Sequence, residues 1–192
     1  MLKELVRQTR SIRRFHQDQE VSRETLLELV DVARLTASAA NLQPLKYVLS
    51  HDPERNAAIF SCLAWAGYLR DWPGPAEGER PAAYLVILGD RQITTNFGCD
   101  HGIAAQTILL AARELGLGGC MLGSIQRERL RQLLALPDRY EILLVIALGV
   151  PKEEVVLEEV GPEGDIRYWR DSQGVHHVPK RRLADLVVDL PV

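Results

Sequence analysis

The chain has 192 residues, of which 46% are hydrophobic and 26% charged, as is typical of a single globular domain with a sizeable core. Its net charge of −3 argues against a general nucleic-acid binder, so any basic cluster is a local feature. An odd count of three cysteines without a CxxC pair indicates reduced thiols. The sequence has neither the apolar core of a signal peptide nor an apolar run of the roughly 20 residues that a membrane span requires. We therefore expect a soluble cytoplasmic protein with no membrane partner.

Hydrophobic periodicity and turn residues divide the chain into alternating elements. The first half is predicted to contain, in order, a helix at 2–8, a helix from the Ser22 N-cap to about Leu35, a strand at 46–50, a helix at 53–65 and a loop at 72–81. The second half is predicted to contain a strand at 83–88, a helix at 100–115, a strand at 120–122, a helix at 127–134, a strand at 142–148 stopped by Gly149-Val150-Pro151, and a hairpin within 166–177. This order lacks a clean βαβ alternation, which favours an α+β fold with a central mixed or antiparallel sheet flanked by helices.

Basic clusters stand near both ends of the chain. One is Arg10-Ser11-Ile12-Arg13-Arg14-Phe15, and the other is Lys180-Arg181-Arg182-Leu183. Guanidinium groups beside a hydroxyl suit a dianion such as a phosphomonoester, because the planar fork of an arginine matches phosphate oxygens. Taken alone, the two clusters are equally compatible with solvated surface charge.

Other signals of chemistry are weak. The glycine run 116–120 follows a predicted helix, whereas a Rossmann fingerprint must follow a strand, so a helix cap and tight turn explain it better. His176 and His177 are adjacent and would point to opposite faces of a strand, so no metal site is expected. The sequence shows no obvious catalytic side chain, and together with the basic clusters this absence is compatible with a phosphorylated cofactor that carries the chemistry while the protein orients it.

Four segments together resemble the nitroreductase family of FMN-dependent oxidoreductases. The first, Arg10 to Phe15, is similar to the family's Arg-Ser-x-Arg-x-Phe motif, and the second, Ser38 to Pro44, is similar to its Ser-x-x-Asn-x-Gln-Pro motif. The third, Asp100 to Gly118, is similar to the family's central helix and the strand entry behind it. The fourth combines Leu148 to Pro151 with Lys180 to Leu183. The resemblance extends over nearly the whole chain. It implies one nitroreductase-like domain over residues 1–192, assembled as a domain-interleaved homodimer.

The resemblance also implies a phosphate site. Arg10, Ser11 and Arg13 would bind the FMN phosphate and ribityl chain, and Lys180 and Arg182 would reach the same phosphate from the carboxyl end. Thr9 stands where many relatives carry another arginine. Residues 158–179 match no motif, and we expect a carboxyl-terminal extension over 158–183 to contribute to the cofactor site and the dimer.

Two further groups are implied to lie on the two sides of the flavin ring. They are Ser38, Ala39 and Asn41 from the other subunit, and Leu122, Gly123 and Ser124 on the opposite side. The backbone N–H of Gly123 would face flavin N5, where such a donor stabilises the reduced, anionic flavin.

The function that the resemblance implies is hydride transfer from NADH or NADPH to flavin N5, followed by reduction of a nitroaromatic, a quinone or another small-molecule acceptor in a ping-pong scheme. No side chain is assigned a catalytic role. A specialised relative that catalyses reductive dehalogenation or flavin fragmentation is the alternative among enzymes. A non-catalytic FMN carrier or sensor and a purely structural domain are the alternatives from other classes.

Overall fold

The computed structural model describes residues 1–190. Its α-helices are Leu2–Gln8 (α1), Arg23–Ala33 (α2), Pro53–Phe60 (α3), Asp100–Glu114 (α4) and Arg127–Leu133 (α5). Its strands are Phe15–His16 (β1), Leu45–Ser50 (β2), Ala83–Asp90 (β3), Gly118–Leu122 (β4), Tyr140–Pro151 (β5), Val155–Glu159 (β6), Trp169–Arg170 (β7) and His176–Lys180 (β8). No helix within residues 1–190 is long and apolar enough to cross a bilayer.

The main sheet is built around β3 and β5. Its strand order is β1-β5-β3-β2, β4 also pairs with β5, and every one of these pairs is antiparallel. All residues of β3 are buried, because helices cover both faces of the sheet at this strand. The prediction of an α+β fold with helices on a central sheet is confirmed, and the sheet is antiparallel.

The two faces of the sheet bury separate apolar clusters. Alternate residues of β3 point to opposite faces, as strand geometry requires. Tyr84 and Val86 pack with Ile59 of α3 and Leu130 of α5. On the other face, Leu85 packs with residues of α2 and α4, including three buried alanines of α4. The small alanine side chains allow α4 to lie close to the sheet and to α2.

Local signals place most helix ends where the sequence predicts them. The Ser22 side chain accepts a hydrogen bond from the Thr25 backbone N–H at 3.1 Å, so α2 begins with the predicted N-cap. Gly116 has a φ of 77° immediately after α4, a conformation that glycine adopts without steric cost. Helix α3, however, ends at Phe60 and not near Trp65, because the following residues pair with the segment after β4.

Strand β5 continues through the predicted stop at Gly149-Val150-Pro151. Gly149 pairs with Gly118 of β4, and Pro151 pairs with Phe15 of β1. These partners lie far away in sequence, and they extend the strand to Pro151. The prediction that the strand stops at 148 is therefore wrong.

The carboxyl-terminal extension forms a second, three-stranded sheet. Strand β8 lies between β6, to which it is parallel, and β7, to which it is antiparallel. The predicted hairpin is confirmed, and Gly174 in its turn has a φ of 83°. Strand β6 was not predicted, because the charged residues at its end break the alternation of a half-buried strand.

The amino-terminal basic segment passes very close to the start of β4. A Cβ at Gly118 would lie 2.7 Å from Cγ1 of Ile12 and 2.8 Å from Cγ of Pro151. A Cβ at Gly119 would lie 2.5 Å from the carbonyl oxygen of Ala147 and 2.6 Å from Cδ2 of Leu109. The glycine run is therefore a packing requirement, which agrees with the preference for a tight turn over a dinucleotide site.

We expect Gly119→Ala to destabilise the protein by about 1–3 kcal/mol, because the methyl group would overlap backbone and a packed side chain. The measurement is the free energy of unfolding in urea. Gly67→Ala is the matched control, since no atom lies within 4 Å of its added Cβ, and its effect should stay within about 0.5 kcal/mol. Equal stability of the two variants would contradict the close packing of Gly119 against Ala147 and Leu109.

Candidate functional site

The first basic cluster is held in an extended conformation along β4. Ser11 forms a parallel bridge with Gly119, and the Ile12 backbone N–H donates to the Gly119 carbonyl oxygen at 2.9 Å. Phe15 is fully buried in the core and anchors the far end of the segment. The sequence folds in this way because apolar side chains at Ile12 and Phe15 enter the core between the basic residues.

Arg13 lies against the carboxyl-terminal extension. Its Nη1 is 3.3 Å from Nε2 of His176 and 3.3 Å from the Ser11 carbonyl oxygen, and its Cζ lies 4.9 Å from the centre of the Tyr168 ring. The Nε of Arg13 is buried and has no hydrogen-bond partner within residues 1–190. Arg13 is thus held at one end of its guanidinium and retains a buried donor.

A buried carboxylate fixes the backbone at this point. Glu153 accepts hydrogen bonds from the backbone N–H groups of Arg13 and Arg14, and its other oxygen accepts from Nη2 of Arg170 at 2.7 Å. The Glu153 side chain has no exposed area. Breaking such an arrangement by removing one partner leaves an uncompensated buried charge, which is strongly destabilising.

Arg14 is engaged elsewhere. Both Nε and Nη2 of Arg14 donate to the carboxylate of Glu79 at 2.7 Å, and Lys152 approaches the same carboxylate at 3.3 Å. The bidentate bond to Arg14 lowers the pKa of Glu79 to about 2. Arg14 therefore has a structural ion pair, which agrees with its absence from the predicted phosphate ligands.

Arg10 points into a cavity of about 460 Å³, which Arg13 does not line. Arg7 and Arg113 also line this cavity, so three guanidinium groups share it. Nη2 of Arg10 donates to the Val6 carbonyl oxygen at 2.6 Å, whereas its Nε is buried and has no partner in the described chain. Glu4 and Glu153 line the cavity as well, so its three arginines and two glutamates leave a formal excess of one positive charge, which suits an anion.

The carboxyl-terminal pair does not meet the first cluster in the single chain. Lys180 ends β8, where it pairs with Glu159, and the Arg182 Nε binds the Glu159 carboxylate at 2.8 Å. In residues 1–190, no hydrogen bond or salt bridge connects Lys180 or Arg182 with Arg10, Ser11 or Arg13. Their action on one shared phosphate stays a prediction.

The predicted ring-contacting loop at 38–41 is shaped by one buried carboxylate. Asp100, the first residue of α4, accepts from the Ser38 hydroxyl at 2.6 Å and from the Ala39 backbone N–H at 3.1 Å. Ala40, Asn41 and Gln43 all have φ near 50°, a left-handed conformation that is uncommon for residues other than glycine. Because Ala39 and Asn41 are exposed, the loop presents its tip to the outside of the chain.

The segment predicted to lie on the opposite side of the ring follows β4 directly. Leu122 is buried, whereas Gly123 and Ser124 are exposed, and no atom lies within 4 Å of the position of a Cβ at Gly123. Gly123 is four residues beyond Gly119, the partner of Ser11, which corresponds to about 13 Å along an extended strand. Ser11 and Gly123 are therefore placed at two separated points of one edge, as an elongated ligand with an anionic end would require.

The residues present fit FMN. The buried Nε groups of Arg10 and Arg13 are donors without acceptors in the described part of the chain, and Ser11 adds an exposed hydroxyl between them. A phosphomonoester offers the acceptor oxygens that such donors require. The open space over Gly123 leaves its backbone accessible to a flat ring.

Comparison with known proteins gives the family. The model of the Nitroreductase family matches residues 6–71 and 75–150, so the chain belongs to this family. One relative is a protein of Archaeoglobus fulgidus that is provisionally named NADH dehydrogenase/NAD(P)H nitroreductase. It is 29% identical over 154 residues, which cover 76% of this chain and 83% of the relative. The 5,6-dimethylbenzimidazole synthase of Rhodospirillum rubrum is 27% identical, with 90% of each chain covered.

A solved structure agrees with the assignment. The FMN-dependent nitroreductase of Clostridium difficile superposes with a TM-score of 0.66 at 26% identity, covering 78% of this chain and 87% of that protein. The family match ends at residue 150, so the second sheet lies outside the matched segments. This boundary explains why residues 158–179 match no motif of the family.

Sequence reasoning missed the neighbours of Arg13. Glu153, Tyr168 and His176 all contact this segment, and each lies at least 139 residues away from it in sequence. No local pattern predicts such pairings. The prediction that His176 and His177 face opposite sides of a strand is consistent with the structure, because His176 meets Arg13 whereas His177 stacks on Trp169 with ring centres 4.0 Å apart.

We expect Asp100→Ala to lower the free energy of unfolding by about 1.5–3 kcal/mol, because two hydrogen bonds to a charged group would be lost and the loop at 38–43 would lose its support. Urea unfolding measures the stability, and limited proteolysis within the loop reports its order. Asp31→Ala is the control, since this exposed carboxylate forms only a surface pair with Arg34. If both variants were equally stable and equally resistant to proteolysis, Asp100 would not shape the loop.

The two histidines of β8 should give opposite pH effects. Burial, and then the charges of Arg13 and Arg170, lower the pKa of His176 from 6.5 to about 4, so the unfolded chain binds a proton that the folded chain does not. This contribution to stability is complete above pH 6.5 and is lost as the pH falls toward 4, by about 2–3 kcal/mol. The bond to Glu158 raises the pKa of His177, so its contribution is present below pH 6.5 and is lost as the pH rises through the raised value.

We therefore expect His176→Gln to reduce the loss of stability between pH 7 and pH 4, whereas His177→Gln should reduce the loss of stability as the pH rises above 6.5. Thermal unfolding from pH 4 to the alkaline side of pH 7 measures both profiles. Parallel profiles for the wild type and His176→Gln would contradict a neutral, buried His176.

Proposed function

We propose that the protein is an FMN-dependent oxidoreductase that takes hydride from NADH or NADPH and reduces a small-molecule acceptor. The observation that carries this proposal is the alignment of the basic segment with β4, which places Ser11 at one end of an edge and Gly123 at the other. Membership of the nitroreductase family supports it, as do the names of relatives that are NAD(P)H nitroreductases or FMN-dependent.

Arg10, Ser11 and Arg13 are the proposed phosphate ligands, with Lys180 and Arg182 as further ligands. Arg10 and Arg13 each carry a buried donor without a partner in residues 1–190, and such donors are worth more against a charged oxygen than against water. Because Glu153 fixes the backbone of Arg13, the segment is ordered before a ligand arrives. The cost of binding is correspondingly small.

At the other end of the edge, Leu122, Gly123 and Ser124 are proposed to lie against the ring system. FMN, when bound, supplies the hydride-accepting and electron-donating centre. The Gly123 backbone N–H would donate to it, and Leu122 would exclude water from one side because it is already buried. A backbone donor held by a strand costs no reorganisation during the reaction.

A homodimer is part of the proposal. Within residues 1–190, no hydrogen bond connects Ser38, Ala39 or Asn41 with the basic segment, so these residues would act on the partner's cofactor. The carboxyl-terminal tail, residues 183–190, adds a second argument. In the single chain, 59–79% of the area of each large apolar residue in it is exposed, namely of Leu183, Leu186, Val187, Val188 and Leu190. Large apolar side chains exposed together usually mark an interface.

The alternative enzyme class is a specialised relative that acts on the flavin itself. The relative that supports it is the 5,6-dimethylbenzimidazole synthase, which matches 90% of this chain. A carrier without turnover remains the alternative outside enzymes. A cytoplasmic location stays a prediction from composition; Cys62, Cys99 and Cys120 are free thiols in the structure.

The test is reconstitution with FMN followed by anaerobic turnover. The purified protein should bind FMN tightly enough to retain its absorbance through gel filtration, and should oxidise NADH or NADPH only when a quinone or nitroaromatic is present. Retained flavin without turnover would identify a carrier. Failure of the flavin absorbance to return when the reduced protein is reoxidised in air would favour the flavin-consuming alternative, and absence of bound flavin would refute the proposal.

We expect Arg10→Ala to weaken FMN binding roughly 10- to 100-fold, because a charge-assisted contact to phosphate is typically worth about 1.5–3 kcal/mol. Titration of FMN fluorescence measures the dissociation constant. Arg91→Ala is the control, since this exposed arginine directly after β3 pairs with Glu141 and belongs to none of the proposed binding segments. An equal affinity of the two variants would remove Arg10 from the site.

A further inference from the structure

The carboxyl-terminal sheet lies outside the segments that match the family, and yet it contacts the basic segment directly. His176, the first residue of β8, has no exposed area, and its backbone N–H donates to the Glu154 carbonyl oxygen at 2.9 Å. The Tyr168 ring is tilted against the His176 ring, with centres 5.2 Å apart. These contacts hold the imidazole in one place.

The protonation state of His176 follows from its neighbours. The charged and titratable groups that face it are Arg13 from the amino-terminal segment, Arg170 from β7 and His177 on its own strand. Burial is the largest cause of its lowered pKa, and the charges of these groups act in the same direction. The ring is therefore neutral near pH 7, and its Nε2 can accept a hydrogen bond.

A neutral Nε2 at 3.3 Å from Nη1 makes Arg13 the donor and assigns the ring proton to Nδ1. The guanidinium also meets the face of the Tyr168 ring, with Cζ 4.9 Å from the ring centre. An arginine on a flexible side chain loses much conformational freedom when it binds an anion. Arg13 has already lost part of that freedom through these two contacts, and its charge is not paired with a carboxylate side chain within residues 1–190.

We propose that His176, together with Tyr168, is a positioning residue for Arg13, and that the carboxyl-terminal hairpin is thereby part of the phosphate site. This inference rests on the proposed binding of FMN. It assigns a role to residues that no family motif includes. His176 touches neither substrate nor cofactor in this role; it acts through the orientation of the Arg13 guanidinium.

The experiment is a mutant cycle read out by FMN affinity at pH 7. His176→Phe keeps an aromatic ring and removes the acceptor, whereas His176→Gln keeps an acceptor oxygen. We expect the dissociation constant to rise roughly 5- to 20-fold in His176→Phe and to stay within about threefold of wild type in His176→Gln. Adding His176→Phe to Arg13→Ala should weaken binding no further, because its effect passes through Arg13.

His177→Phe is the matched control, since His177 stacks on Trp169 at the other face of β8 and should leave FMN affinity unchanged. Tyr168→Leu provides a second variant if His176→Phe does not fold, and it too should be non-additive with Arg13→Ala. Circular dichroism establishes folding before each titration.

Equal losses in His176→Phe and His177→Phe, or an additive effect with Arg13→Ala, would overturn the positioning role while leaving FMN binding intact. A wild-type protein that binds no FMN would instead overturn the proposed function. The two failures are therefore distinguishable from the wild-type titration alone.

Discussion

The close contact of residues 11 and 12 with the paired glycines of β4 is the constraint on which the rest of the site depends. A Cβ at Gly118 would lie 2.7 Å from Cγ1 of Ile12, so the glycine lets the basic segment lie against this strand, where the Ile12 N–H reaches the Gly119 carbonyl oxygen. The buried side chains of Ile12 and Phe15 anchor the segment in the core, and Arg13 and Arg14 lie between these two anchors.

Three arginines in six residues have three different surroundings. Arg14 is paired with Glu79, Arg13 contacts an imidazole and an aromatic ring that pack against each other, and Arg10 faces a cavity with two other guanidinium groups. A carboxylate partner balances the positive charge of an arginine, whereas a neutral imidazole accepts a hydrogen bond from it without balancing its charge. The structure thus separates an arginine with a structural role from two whose charge remains available to an anion.

The sequence predicts correctly the helix ends and turns that are determined by residues nearby in the chain. The Ser22 cap, the glycine after α4 and the turn at Gly174 depend on residues within a few positions, and each was located correctly. Strand β6 and the extension of β5 to Pro151 depend on partners that are distant in sequence, so periodicity alone could not place them. The site divides in the same way: motifs indicate Arg10 and Arg13, whereas Glu153 and His176 are brought to them only by the fold.

The single chain leaves the proposed cofactor site in separate parts, and this has a thermodynamic consequence. In the described residues 1–190, no hydrogen bond or salt bridge joins the loop at 38–41 or the pair Lys180 and Arg182 to the basic segment, whereas the apolar side chains from Leu183 to Leu190 are exposed. If these parts act on a partner's site, as in the proposed homodimer, a ligand that bridges them binds the dimer better than the monomer. Linkage then requires that the ligand strengthen the dimer by the same free energy by which the dimer strengthens ligand binding. The buried carboxylates Asp100 and Glu153 matter for this coupling, because each orders one of the parts before the two chains meet.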